Sequence, residues 1–208
     1  MKKINLKLMI ALIGGSLILA SCGNNSNTEN GSHHHEEGME HDHSNHEHGS
    51  IDEKRNVSTN TGEMKGDLSV VLRNYFAMNE NLVQDEASGA ADASEKLMVS
   101  LKEFKASGLS EEEQKEVNEI LESAIENAEH ISKNAGEISH QREHLVSLST
   151  DVKDLISIVG TSQKLYEDFC PMANNNEGAI WISSKEEISN PYMGSSMPKC
   201  GKVNRVIE

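Results

Sequence analysis

The donor side chains of this 208-residue chain that could do chemistry fall into three groups. The first lies in CPMANNNEGAIWISSKEEISNPYMGSSMPKCG, which runs from Cys170 to Gly201. Cys170 and Cys200 stand near its two ends, and Met172, Met193 and Met197 lie close to one or the other. Thiolate and thioether are soft ligands that select soft ions such as Cu(I). CPM and MPKC each place a thiol near a thioether, so each segment can present both sulfurs on one side of a turn. The two cysteines can equally close a disulfide around a small loop-rich lobe, as cysteines in oxidising compartments usually do. Both readings stand at this point, and they are compatible: oxidation would close the site and reduction open it.

The second group is HHHEEGMEHDHSNHEHG, which holds seven of the ten histidines: His33, His34, His35, His41, His43, His46 and His48. Imidazoles beside Asp and Glu offer borderline nitrogen ligands for Cu(II), Zn(II) or Ni(II), released as the rings protonate. The third group is His130, His140 and His144. His140 and His144 are four apart and share one helix face. With a reversal of the chain near Ala135, His130 falls roughly opposite His140 and three imidazoles converge. The alternative is a set of surface imidazoles bonded to carboxylates such as Glu143 and Glu137.

CPMA, GAxWxS, NPYxG and MxxCG, in that order, resemble the C-terminal signature of a bacterial family named as a domain of unknown function. HQREH, at residues 140–144, resembles another stretch of that family, and the likeness runs upstream to about residue 66. An aromatic is common after NPY in the family, whereas this chain has Met193. The resemblance implies an envelope protein or lipoprotein. It also implies a link to heavy-metal (copper) efflux, because the same domain is often fused to periplasmic adaptor subunits of such pumps.

The elements that must position these groups follow from periodicity. Residues 63–160 read as four helices. Leu68, Val71, Tyr75, Met78 and Leu82 mark the first stripe, and Ala90, Ala93, Leu97, Leu101 and Phe104 the second, which ends by Gly108. Ser110 and Glu113 form a capping box before Val117, Ile120, Ala124, Ala128 and Ile131. Ile138, Gln141, Leu145, Leu148, Val152, Leu155 and Val159 step by three and four, the spacing of a bundle seam, and Gly160 stops the run. Short connections favour antiparallel neighbours. The expected fold is mainly α: an up-and-down antiparallel four-helix bundle with a small β-rich lobe at 161–208. There Leu165, Tyr166 and Phe169 lead into Cys170, Ala179–Ser183 reads as a strand, Asn190-Pro191 as a turn, and Val203 and Val206 as part of a last strand.

Upstream, residues 1–21 read as an export signal, with Lys2, Lys3 and Lys7 before an apolar run that is short for a membrane span. Leu19-Ala20-Ser21-Cys22 resembles a bacterial lipobox, which implies cleavage before Cys22 and lipidation of its thiol. Residues 22–62 carry no apolar periodicity and read as a disordered, histidine-rich tether. Nothing beyond Cys22 reads as a span, so the membrane contact is through lipid alone.

A net charge of −15 argues against nucleic acid, whose phosphates need clustered Lys and Arg. No thiol-exchange CxxC, nucleophile motif or phosphate loop is present, so no enzyme is expected. Two readings follow. One is a lipid-anchored envelope protein that scavenges or donates copper, with zinc or nickel at the histidine tract. The other is an interaction module that docks on an efflux adaptor, with Cys170–Cys200 a structural disulfide. The anchor is testable by itself. Cys22→Ser should leave an unprocessed precursor and abolish labelling by a fatty-acid analogue; normal processing of that variant would refute lipidation.

Overall fold

The computed structural model describes the main chain of Val57–Ser58 and residues 63–208. The expected signal, Cys22 and the histidine tract lie outside the described residues. Four long helices come first: α1 (Ser69–Val83), α2 (Ala87–Glu103), α3 (Glu111–Lys133) and α4 (Ile138–Val159). Each packs against the next through the stripe read from its sequence. The capping box at the start of α3 is formed in full. Ser110 Oγ accepts from the Glu113 N–H at 3.2 Å, and Glu113 Oε2 accepts from the Ser110 N–H at 2.9 Å. Lys65 Nζ also donates to Glu113 at 2.5 Å. That bond, followed by those from Ser110, holds the Glu113 carboxyl down at about 2. Helix α2 ends at Glu103, because Phe104 turns to extended φ/ψ.

The C-terminal lobe is a small mixed sheet whose last three strands pair antiparallel. Strand β1 (Val57–Ser58) pairs parallel with β4 (Lys202–Ile207), which pairs antiparallel with β2 (Leu165–Cys170), which pairs antiparallel with β3 (Ala179–Ser183). The strands β3 and β4 lie where the sequence placed them. The centre of the sheet, β2, was read only as a lead into Cys170. Two adjacent acids, Glu167 and Asp168, mask its alternation. Glu167 is satisfied laterally by Asn204 Nδ2 at 2.6 Å and Arg205 at 2.7 Å. The register slips between these two acids.

The lobe and the bundle share one core. Trp181, Ile182 and Ile207 belong to the same buried cluster as the helix stripes. Polar contacts lock the junction. Tyr75 from α1 and Ser149 from α4 meet at 2.8 Å, and the Ile182 N–H donates to Tyr75 Oη at 3.3 Å. Tyr192 Oη donates to the Ile180 carbonyl at 2.6 Å. Arg142 of α4 donates to the carbonyls of Pro191 and Leu82, each at 2.8 Å, and pairs with Asp85 at 2.5 Å. Asp85 also accepts from Ser195. These bonds, Ser195 first and then Arg142, bring the Asp85 carboxyl down to about 2. Gly194, at φ +53°, makes the clasp possible, because a Cβ there would run into Asp85 and Arg142.

Asp168 is the odd group in this core. It is fully buried, and neither carboxylate oxygen has a hydrogen-bond partner. Burial, and secondarily the charge of Glu167, pushes its pKa up to about 8. The native state therefore holds a proton that the unfolded chain, with an ordinary aspartate near 3.9, has released. Stability contributed by the neutral form is complete below the unfolded pKa and is lost as pH rises toward 8. Asp168→Asn should flatten that slope, so denaturant unfolding should show the variant gaining on wild type from pH 5 to pH 8. An equal offset at both pH values would show that ionisation of Asp168 does not govern the effect.

Candidate metal centre

The three bundle histidines converge. They stand on α3 and α4, which run antiparallel and are joined by a short turn at 134–137. Asn134 closes α3, and its side chain donates back to the His130 carbonyl at 2.7 Å. One ligand atom from each of His130, His140 and His144 can be chosen so that all lie within 4.8 Å of one another. His130 stacks on His144 with ring centroids 4.4 Å apart and planes at 12°. His140 meets His144 edge-on at 4.7 Å. The ring that His130 covers is therefore that of His144, which is the hub of the cluster.

The surroundings fix the tautomers. Asn127 Nδ2 donates to the Ser123 carbonyl at 3.0 Å, which turns Asn127 Oδ1 toward His144 Nδ1 at 3.0 Å. An amide oxygen only accepts, so His144 carries its proton on Nδ1 and leaves Nε2 bare. His140 Nδ1 lies 3.0 Å from Glu143 Oε2. A carboxylate there likewise holds the proton on Nδ1 and frees Nε2. Outer bonds of this kind orient ligating histidines and raise their basicity. His130 Nε2 is 4.0 Å from Glu126 Oε1, which adds a second negative group beside the rings. Glu143 is thus bonded to His140, as expected of a surface histidine paired with a carboxylate.

A tetrahedral ion with metal–nitrogen bonds of about 2.0–2.1 Å sets its ligand nitrogens roughly 3.3 Å apart. The ligand atoms stand up to 4.8 Å apart, and the stacked rings of His130 and His144 must turn out of parallel to aim their nitrogens at one ion. Three imidazoles are borderline donors, suited to zinc, copper and nickel. In metal-free protein His144 disfavours a proton. Burial lowers the pKa of His144, and the neighbouring charges of His130 and His140 lower it further, against the pull of Glu143 and Glu126.

The structure brings the two cysteines together and leaves Met172 and Met197 at the surface. Cys170, at the end of β2, is fully buried, and Cys200, just before β4, is partly exposed. Their sulfurs lie 2.9 Å apart. Met172 and Met197 present their side chains to solvent. Met172 and Met193 line a cleft of about 320 Å³ whose other wall is formed by Ser139, Arg142, Glu143 and Val146 of α4. Glu143 thus borders both that cleft and the imidazoles. The sequence reading missed Asn127, whose only signal was its place one turn before His130. It took Asn190 as a turn residue, yet this fully buried side chain organises the thiol loop. Asn190 Nδ2 donates to the Cys200 carbonyl at 2.6 Å, and Oδ1 accepts from the N–H groups of Tyr192 and Met193.

The fold and this cluster define a four-helix bundle with a histidine triad in its second hairpin and a small sheet docked at its side. Residues 71–164 match the model of a family described as a protein of unknown function (DUF3347). The match takes in almost all of the bundle and the whole triad. It stops before Cys170, so the four motifs that resemble a family signature lie beyond it. No curated protein and no solved structure matches the chain. Among the described residues, no helix is long and apolar enough to cross a membrane.

The electrostatics of the triad can be read directly. In metal-free protein, the His144 ring should titrate below the usual imidazole value of about 6.5. His130→Gln should move it part of the way back, since burial, the larger cause, remains. An NMR pH titration that finds His144 unmoved by this change would disprove the coupling.

Proposed function

We propose that this protein is a lipid-anchored metal-binding protein of the bacterial cell envelope, which scavenges or donates copper, or a related borderline ion such as zinc or nickel. The observation that carries this reading is the convergence of His130, His140 and His144 with two of the rings tautomer-fixed by Asn127 and Glu143. Three protein ligands leave one tetrahedral position open, as in sites that exchange a ligand. An open position suits a protein that hands its ion on. The histidine tract would act as a low-selectivity collector, and Cys22 as the anchor. The resemblance to efflux-associated domains supports a place in heavy-metal resistance.

The sulfur pair is the weaker metal site. Two thiolates sharing a tetrahedral ion at bonds of about 2.3 Å stand roughly 3.8 Å apart. Cys170 and Cys200 touch more closely than that, so they would have to separate before an ion could bridge them.

The test uses metal-stripped full-length chain in which the seven tract histidines are replaced by Gln. Cu(II), Zn(II) or Ni(II) should raise its melting temperature, by an amount equivalent to about 2.7 kcal/mol at a hundredfold excess over the dissociation constant. His144→Ala should remove the response and Asn127→Ala should weaken it roughly tenfold in affinity. A melting temperature indifferent to all three ions would sink the proposal.

A further inference from the structure

The histidine centre leaves the contact between Cys170 and Cys200 unused. The two cysteines stand at the same end of adjacent antiparallel strands, where Phe169 pairs with Lys202. Gly201 permits the approach. At φ +130°, it lies so close to β2 that a Cβ would sit 2.8 Å from the Phe169 carbonyl oxygen. Asn190 closes the far side through the Cys200 carbonyl. The resulting sulfur contact is 2.9 Å, inside ordinary van der Waals separation, so a bond of about 2.03–2.05 Å can close with little movement of either strand.

The pair is asymmetric in access. Cys170 is sealed in the core, and Cys200 reaches solvent. An incoming reagent can meet only Cys200. From this geometry we propose that Cys170 and Cys200 form a reversible dithiol–disulfide centre that exchanges with small-molecule thiols and disulfides, entered through Cys200 and resolved by Cys170.

Cys200 gives its proton to solvent and attacks one sulfur of a small disulfide RSSR, whose S–S bond breaks to release RS⁻. The Cys170 thiolate then attacks Cys200 Sγ in the mixed disulfide and expels the second RS⁻. Two cysteine thiols are oxidised to one disulfide, RSSR is reduced, and the two protons end on two RSH. In reverse, RS⁻ attacks the accessible Cys200 sulfur and Cys170 leaves. Its surroundings suit a leaving thiolate. The N–H groups of Met172 and Ala173 and the Asn190 amide face its sulfur and hold the departing thiolate, whereas Cys200, bonded to RS at that moment, has no proton to give. A lower leaving-group pKa speeds departure, and stabilising the reduced form makes the disulfide easier to reduce. This pair is therefore poised as an exchangeable disulfide and not as a staple.

The experiment equilibrates folded full-length protein, under nitrogen, with graded ratios of reduced and oxidised glutathione. Acid quenching, alkylation and mass spectrometry of the Cys170 and Cys200 peptides report the state of each sulfur. Wild type should pass from dithiol to disulfide in a single two-electron transition within that range, with its circular dichroism unchanged. Cys170→Ala should trap glutathione on Cys200 about tenfold more than wild type does, because the resolving step is lost. Cys200→Ala should trap none on Cys170. A disulfide that survives excess reduced glutathione in the folded protein would make the pair a structural staple and overturn the proposal. Thiols that stay free in excess oxidised glutathione would overturn it as well. The wild-type titration decides the matter even if a variant does not fold.

Discussion

Everything in the C-terminal half depends on one buried contact, the meeting of Tyr75, Ser149 and Tyr192 hydroxyls beneath β3. A four-stranded sheet with strands of two to six residues cannot bury enough apolar surface to stand alone. It must share the core of the bundle, and then the inward-facing peptide groups of β3 lose water. The hydroxyls replace it: Tyr75 meets the Ile182 N–H, and Tyr192 meets the Ile180 carbonyl. Leaving such a group unmet costs about 1–3 kcal/mol, so the junction is as much a matter of satisfied polarity as of apolar packing. Ser149 Oγ stands within reach of both phenols, 2.8 Å from Tyr75 Oη and 3.3 Å from Tyr192 Oη.

That junction fixes α4, and α4 then serves three neighbours with three faces. Leu145, Leu148 and Val152 enter the bundle core. Arg142 reaches the loop that carries Asp85 and the loop that carries Pro191. His140 and His144 turn toward α3. A helix committed on so many sides has little freedom to rotate, and the imidazoles inherit that rigidity. Side chains placed on a rigid scaffold keep their geometry better than those on loops.

The bundle was legible because its physics is local. Stripes of Leu68 to Leu82 and of Ile138 to Val159 state which face is buried, and Ser110 with Glu113 states where α3 begins. The convergence of the histidines was legible too, since a reversal near Ala135 follows from Asn134 and Gly136. What could not be read was the identity of the central ring, because stacking depends on the relative rotation of α3 and α4 and not on spacing. Strand β2 was hidden because Glu167 and Asp168 break the apolar alternation, and only their tertiary surroundings explain them. Asn190 read as a turn former, and nothing in its sequence position announced that it would bond the Cys200 main chain. The methionines were grouped with the cysteines by proximity along the chain, but they lie in turns outside the strands, and Met172 and Met197 face solvent.

The two donor clusters also differ in how far apart along the chain their parts lie. The imidazoles belong to one helical hairpin, whereas the sulfurs meet only after β2 and β4 have paired across the intervening β3 and loop. Local contacts form early in folding and distant strand pairings wait on loop closure. Nitrogen donors are thus assembled while the thiols are still on separate, mobile segments. A chain that folds in the presence of metal offers its ions an organised imidazole cluster first, so topology gives the harder donors a kinetic head start that equilibrium affinity alone would not reveal.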